Sequence, residues 1–298
     1  MEWLAAIEGT PEGRHLALGL ALFAAVAHAV FGALQKGRHD PWLSRGAIDF
    51  CYAAIAAPVA LLVVPWPVGG QWAILAGAMA IHLGYKLAQA MAYSRGAFTV
   101  VYPVVRGTGP LVTVLAAGVV FGESYSAVQW GGVLLLSGGI LALSVTNLRG
   151  IGIGRPRLVA ALGWALVTGI FVAAYTTYDS WGIRATPDAF TFLVWFFLLD
   201  GLVFPWIAAA RWLRMDVPPV LAPLLARGVA GGLVAYVSFG SIMLATRIDK
   251  VGQAAVLRET SVVFAALIGW AFLHERVGPL RAALVGLIAL GAVVVEFG

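Results

Sequence analysis

The sequence predicts an all-α membrane protein: ten transmembrane helices, arranged as two inverted-topology five-helix repeats around a central cavity. Three observations predict it. The 298 residues are 61% hydrophobic and only 11% charged, with a mean hydropathy of +0.92, whereas a soluble domain carries roughly 25% charged residues. The apolar residues fall into about ten runs, each long enough to cross a ~30 Å hydrocarbon layer. A hairpin pattern also recurs at a fixed offset: Arg106 and Arg258, Glu123 and Glu275, Met91 and Met243, and Arg95 and Arg247 are each 152 residues apart. Such spacing without gaps points to an internal duplication.

The first run, near 16–35, follows Glu2, Glu8 and Glu12, so the N-terminus lacks the basic segment of a secretory signal. Its hexapeptide ALGLAL at 17–22 is echoed by ALGWAL at 161–166, which pairs it with a later span. Runs near 43–65 and 71–93 follow, separated by Pro65, Pro67, Gly69 and Gly70. Runs near 97–121 and 126–146, joined by a turn at Gly122-Glu123-Ser124, complete a first repeat over 1–149. The Gly-rich stretch 150–157 leads into a second repeat over 150–298, with runs near 158–181, 187–210, 218–245, 250–273 and 279–297. Pro187, Pro218-Pro219 and a turn at His274-Glu275-Arg276 separate them. Five crossings per repeat is an odd number, so the second copy enters the membrane from the opposite side.

Turn chemistry follows the same plan. Glu123 and Glu275 precede helix starts and are expected to organise their turns, with Ser124 or Ser126 as cap in the first copy. The spacings Gly118-x-x-x-Gly122 and Gly228-x-x-x-Gly232 predict close helix packing.

The net charge of +5 lies in short gaps between apolar runs and forms no patch, which marks topology and excludes a nucleic-acid surface. Arg14, Arg184, Arg247 and Lys250 fall on the side shared by the termini; Lys36, Arg38, Arg45, Arg95, Arg149, Arg155, Arg157, Arg211, Arg214, Arg276 and Arg281 fall on the other. That bias places both termini outside the cytoplasm. Cys51 is the single cysteine, so no internal disulfide forms, and no Cys/His cluster has metal-ligand spacing. Without a zincin, hydrolase, P-loop or dinucleotide motif, the chain is expected to be neither an enzyme nor a cofactor binder.

Function is sought in polar residues inside the apolar runs, since each ionisable group there costs about 2.5–3.5 kcal/mol and turns toward an interior or a wet cavity. His82, Tyr85, Lys86, Gln89 and Tyr93 share one helical face. Thr99, Tyr102, Pro103, Arg106, Pro110 and Thr113 keep the same rhythm in the fourth span. Trp164, Thr168, Tyr175, Tyr178 and Gly182 come from the sixth, Arg227, Tyr236, Ser238 and Ser241 from the eighth, and Arg258, Glu259 and Ser261 from the ninth. The substrate-binding set is therefore His82, Tyr85, Lys86, Gln89, Tyr102, Arg106, Trp164, Tyr175, Tyr178, Tyr236, Arg258 and Glu259, with Pro103 and Pro110 as hinges. Arg106, Arg258 or Lys86 would meet a carboxylate and Glu259 an ammonium, while the aromatic groups stack on a ring. The plainer reading pairs Arg258 with Glu259 and sets Arg106 on carbonyls freed by Pro110. Asp49, Asp179 and Asp200 read as helix-end or first-turn residues, His28 as a core histidine, and no dedicated proton relay is visible.

Pro110, Gly122-Glu123, Gln129, Gly131 and Gly138-Gly139, echoed by Glu275, Gly286 and Gly291, resemble the EamA repeats of the drug/metabolite transporter superfamily, and within it the YddG-type aromatic amino acid exporters. The resemblance spans the chain. It implies ten helices in a basket, alternating access by bending of the third, fourth, eighth and ninth helices, and export from the bacterial inner membrane. Two departures stand out: Val262 occupies the position of Pro110 in the second copy, and the cytoplasmic termini implied by the family oppose the charge bias. The expected activity is export of a small neutral or aromatic amino acid by a monomer embedded in the lipid bilayer. The alternatives are export of other metabolites, export of cationic or lipophilic drugs, disfavoured by the excess of intramembrane arginine and lysine over carboxylate, and a lipid-modifying enzyme using Lys86, His82 and Glu259.

Overall fold

A computed structural model describes residues 2–34, 40–96, 98–148, 155–272 and 278–298. The expected join at 150–154, the turn at His274-Glu275-Arg276 and the basic residues Lys36, Arg38 and Arg149 lie outside the described residues, as does the side chain of Thr99. Among the described residues there is no strand; the elements are α1 (Glu2–Ile7), α2 (Pro11–Leu34), α3 (Pro41–Leu62), α4 (Gln71–Arg95), α5 (Phe98–Phe121), α6 (Ala127–Leu148), α7 (Arg155–Ala185), α8 (Ala189–Asp200), α9 (Phe204–Trp212), α10 (Leu221–Ile248), α11 (Val251–Arg258), α12 (Ser261–Phe272) and α13 (Pro279–Phe297). All ten expected spans are present, two of them as pairs of shorter helices. Among the described residues nine segments qualify as membrane crossings by length and hydropathy. The third span, α4, is long enough at 25 residues, but its mean hydropathy is lowered by Gln71, His82, Lys86, Gln89 and Arg95.

The breaks have local causes. The seventh span divides into α8 and α9 because Pro205, near the start of α9, has no N–H to offer the preceding turn and its ring crowds the carbonyl four residues back. At that break Asp49 O lies 2.4 Å from where a Cβ on Gly201 would stand, so no larger residue fits without movement. The ninth span divides at Glu259–Thr260, where Glu259 N–H bonds Val256 O and Thr260 N–H bonds Leu257 O, a tightening from four- to three-residue closure. The first copy differs: α5 runs unbroken through Pro103 and Pro110, both buried.

The packing obeys an exchange of the two halves. The first span, α2, lies along the eighth, α10, as the sixth, α7, lies along the third, α4; α5 packs on α7 as α11 and α12 pack on α2. The second span α3 meets α10 as α8 meets α4, and the pairs α6–α13 and α3–α8/α9 close the arrangement on themselves. Small residues permit the closest of these contacts. On the α6–α13 seam, a Cβ at Gly132 would stand 2.8 Å from Gly291 O, and one at Gly291 would stand 2.6 Å from Leu136 N. Gly228 lies against the backbone of Ala47 as its spacing predicts. The Gly118–Gly122 pair does not pack a helix: Gly122 takes φ +68 and makes the turn after α5.

Candidate functional site

A cavity of 130 Å³ lies at the centre, walled by α2, α3, α4, α5, α7, α8, α10 and α11. Of the expected substrate-binding residues, His82, Tyr85, Gln89, Tyr102, Arg106, Tyr175 and Arg258 line it, as do Tyr93 and Ser238 from the same polar faces. His28, Arg45, Tyr52, Asp200 and the rings of Phe196, Phe197 and Phe239 line it as well. The aromatic wall is continuous: the His82 ring lies 4.6 Å from Tyr175, 4.9 Å from Phe196 and 5.5 Å from Phe239, and Tyr85 lies 5.0 Å from Tyr175.

One end of the cavity rests on a buried ion network built from four helices. Lys86 Nζ, 1% exposed, lies 2.6 Å from Asp49 Oδ2 and 2.8 Å from Asp200 Oδ1. It also donates to Asp200 O at 2.7 Å and to Tyr52 Oη at 3.0 Å. Tyr52 Oη in turn donates to Asp200 Oδ2. Arg45 Nε lies 2.7 Å from Asp49 Oδ1, one helical turn away. On the far side His82 Nε2 lies 2.7 Å from Asp179 Oδ2, while His82 Nδ1 is 3.9 Å from Asp200 Oδ1. An ionised carboxylate only accepts, so Nε2 is the nitrogen that carries the hydrogen.

A second, smaller network, made across the repeats, also borders the cavity. Arg106 Nη1 donates to Glu259 Oε1 at 2.9 Å, Nη2 to Ser261 Oγ at 3.2 Å and Nε to Tyr102 Oη at 3.2 Å. Its guanidinium also lies 5.3 Å from the Tyr102 ring centroid. Arg258 Nε is 3.5 Å from the same Glu259 oxygen and has no hydrogen-bond partner. The two arginines that share an offset in the sequence thus share one carboxylate in space. Arg106 bonds side chains of the second repeat, where the plainer reading set it on backbone carbonyls near Pro110.

The remaining sequence-derived residues sit elsewhere. Lys86 lies behind the cavity wall inside its ion network, and Glu259, 0% exposed and expected to receive an ammonium, instead holds Arg106. Tyr236 donates to Tyr52 O and packs its ring on Phe197. Tyr178 places its hydroxyl against Gly77 and its ring on Trp181, and Trp164 packs at the edge of a cluster around Tyr175. Asp49, Asp179 and Asp200, read from sequence as helix-end residues, are the partners of Lys86 and His82. The signal that finds them is neutrality: a cation buried among apolar spans requires carboxylates beside it. Four cations, Arg45, Lys86, Arg106 and Arg258, face four carboxylates, Asp49, Asp179, Asp200 and Glu259, so the expected excess of cations does not hold.

The cavity lining reaches Tyr93 in the last turns of α4 and Arg45 early in α3, hence toward the end where α4 stops and α5 begins. The opposite end is clasped. There Glu123, expected to organise its own turn, caps the second repeat: its carboxylate accepts from Val251 N at 2.6 Å and Gly252 N at 3.1 Å, at the start of α11. Ser126 caps α6 reciprocally with Gln129, at 3.1 and 3.0 Å. Tyr125 Oη donates to Glu123, and burial together with that carboxylate pushes the phenol up from its ordinary value. Arg184, closing α7, donates to Thr246 O and Asp249 O at the end of α10, while Arg247 donates to Ile183 O and Thr186 O at the end of α7. Each helix C-terminus is therefore capped by an arginine of the other.

Comparison with known proteins agrees with this architecture. Residues 159–297 match the EamA-like transporter family. No curated protein matches the chain. Among solved structures 29 chains match; one of them, titled only "Crystal structure of protein", superposes with a TM-score of 0.71 at 18% identity, over 96% of this chain and 98% of that one, a likeness of fold.

Proposed function

We propose that this multi-pass membrane protein transports a small zwitterion, a neutral or aromatic amino acid, through the central cavity by alternating access. The carrying observation is the charge left over at each end. With both histidines neutral, Asp49, Asp179 and Asp200 outnumber Arg45 and Lys86 by one negative charge, while Arg106 and Arg258 outnumber Glu259 by one positive charge. A cavity bordered by two networks of opposite residual charge favours a ligand that carries both. The carboxylate meets Arg106 and Arg258, the ammonium meets Asp200 beside Tyr52, and a side-chain ring rests on Tyr85, Tyr175, Phe196 and Phe239.

The family match over residues 159–297 supports transport of a small metabolite and says nothing of which one. Pro103 and Pro110 in α5, and the break between α11 and α12, are the places where the clasped end would open. On the basic-residue bias the cavity reaches toward the cytoplasm, the loading side for an exporter in a bacterial inner membrane. Export of lipophilic cations is the second reading, favoured by the even balance of buried charge. The test is counterflow: liposomes loaded with unlabelled phenylalanine and carrying the purified protein take up labelled phenylalanine above empty liposomes. Exchange of a hydrophobic cation in place of phenylalanine would refute the zwitterion reading.

A further inference from the structure

We propose that the Asp179–His82–Asp200 array is a proton-binding site, and that the protein exchanges one proton for one zwitterion; the second part rests on the transport reading above. The sequence shows no relay because its members come from three helices: Asp179 from α7, His82 from α4 and Asp200 at the end of α8. The array forms one end of the cavity but is half hidden, since His82 and Asp200 line it while Asp179, 1% exposed, stands behind.

Among the described residues, the charged or titratable groups around His82 come from four helices besides its own. Arg45, Asp49 and Tyr52 come from α3, Tyr85 and Lys86 from its own helix, Tyr175 and Asp179 from α7, Asp200 from α8, and Arg258 acts on Asp179 from α11. Lys86 and Arg45 are committed to Asp49 and Asp200, so the imidazole is the one ion-pair partner of Asp179, while Arg258, held by Glu259, acts on it from across a small shared void. The array is short of one positive charge, and a buried network short of one charge binds the ion that supplies it. Two ions can do so from the cavity: a proton or the substrate's ammonium.

The step is balanced. A proton adds to His82 Nδ1, 3.9 Å from Asp200 Oδ1, while Nε2–H stays on Asp179 Oδ2 at 2.7 Å, which leaves an imidazolium between two carboxylates. When an ammonium reaches Asp200, its charge replaces that of the proton, which leaves through Nδ1. The two occupants exclude each other, so each crossing carries one or the other. Access from the clasped end has its own trace. Asp179 Oδ1 has no hydrogen-bond partner and lines a void of 10 Å³ with Thr176, Ser180, Thr246 and Arg258, at the lower limit of space for one water.

The experiment uses the full chain in liposomes, with labelled phenylalanine and the membrane potential clamped. Counterflow without a pH gradient establishes transport; its absence overturns the transport reading and the exchange with it. With an acidic interior, protons leave and phenylalanine accumulates about tenfold per pH unit. Intact counterflow without such accumulation, or accumulation only with an alkaline interior, overturns the proton exchange and leaves transport standing. In wild type, half-saturating phenylalanine for counterflow rises as the pH falls, because proton and ammonium compete for one uncompensated charge. Asp179→Asn removes the uncompensated negative charge: half-saturation rises and loses its pH dependence, in protein that still elutes as a single species. An Asp179→Asn protein that accumulates phenylalanine as wild type does would overturn the site.

Discussion

Replacing Lys86 with methionine tests whether the buried ion network holds the helices in register. Methionine keeps the apolar stem and removes the ammonium that lies 2.6 Å from Asp49, 2.8 Å from Asp200 and 3.0 Å from Tyr52 Oη. Asp49 and Asp200, 0% and 7% exposed, are then left with Arg45 as their nearest cation. Breaking a buried pair by removing one partner costs about 3–5 kcal/mol, because the other charge remains buried without compensation. At about 2 °C per kcal/mol for a chain of this size, the melting temperature of the detergent-solubilised protein falls by about 6–10 °C. The control is the double variant Lys86→Met/Asp49→Asn, which returns the network to its original net charge and recovers more than half of the loss. A single variant melting within about 1 °C of wild type, or a double variant below the single, would refute the claim that paired charge stabilises this end of the bundle.

Arg106→Lys removes the planar fork that reaches Glu259, Ser261 and Tyr102 at once; at about 1.5–3 kcal/mol for a charged hydrogen bond, half-saturating substrate in counterflow rises about tenfold or more. Glu123→Gln weakens the cap on α11, and distance measurements between spin labels at 124 and 250 are expected to show a longer, broader distribution than wild type. Gly291→Val sets a branched side chain where Leu136 N lies 2.6 Å from the Cβ position, and separation of α6 from α13 lowers the melting temperature at a cost of about 1–3 kcal/mol. Asp188 accepts from Thr191 N and Oγ1 at the start of α8, and these bonds outweigh its partial burial and hold its carboxyl below the usual range. Its contribution is present above the ordinary carboxylate pKa and is lost as the pH falls through the depressed value; Asp188→Ala removes about 1 kcal/mol at neutral pH and abolishes that acid dependence of melting.

The spans were legible because lipid demands them: twenty apolar residues between breakers leave few other arrangements. The break after α8 was legible in principle, since Pro205 lies inside an apolar run, but run-counting smooths over a single proline. The polar stripe on α4 was also legible, as spacing alone puts His82, Tyr85, Lys86 and Gln89 on one face. What sequence could not supply was pairing. Asp49, Asp179 and Asp200 sit 37, 93 and 114 residues from Lys86 in the chain, and nothing local distinguishes a carboxylate that ends a helix from one that neutralises a distant lysine. Reading them as dipole partners produced a false surplus of cations and hid the array around His82.

Duplication explains why the two ends of the cavity differ in charge. On the offset that pairs Met91 with Met243, Arg106 meets its counterpart Arg258, and both arginines meet at Glu259, a position held by Gly107 in the first copy. One positive end thus arises from a feature the copies share, neutralised by only one of them. On the same offset His82, Lys86 and Gln89 correspond to Val234, Ser238 and Ser241 on α10, so the ionisable face of α4 has no counterpart in the second half. Ser238 donates to Ala24 O and Val234 lines the cavity, which makes α10 a neutral wall opposite a charged one. A strictly symmetric pair would give two like-charged ends and a site for an ion of one sign. The backbone kept its exchange symmetry while the side chains lost theirs, and that loss separates a residual negative charge at His82 from a residual positive one at Arg106.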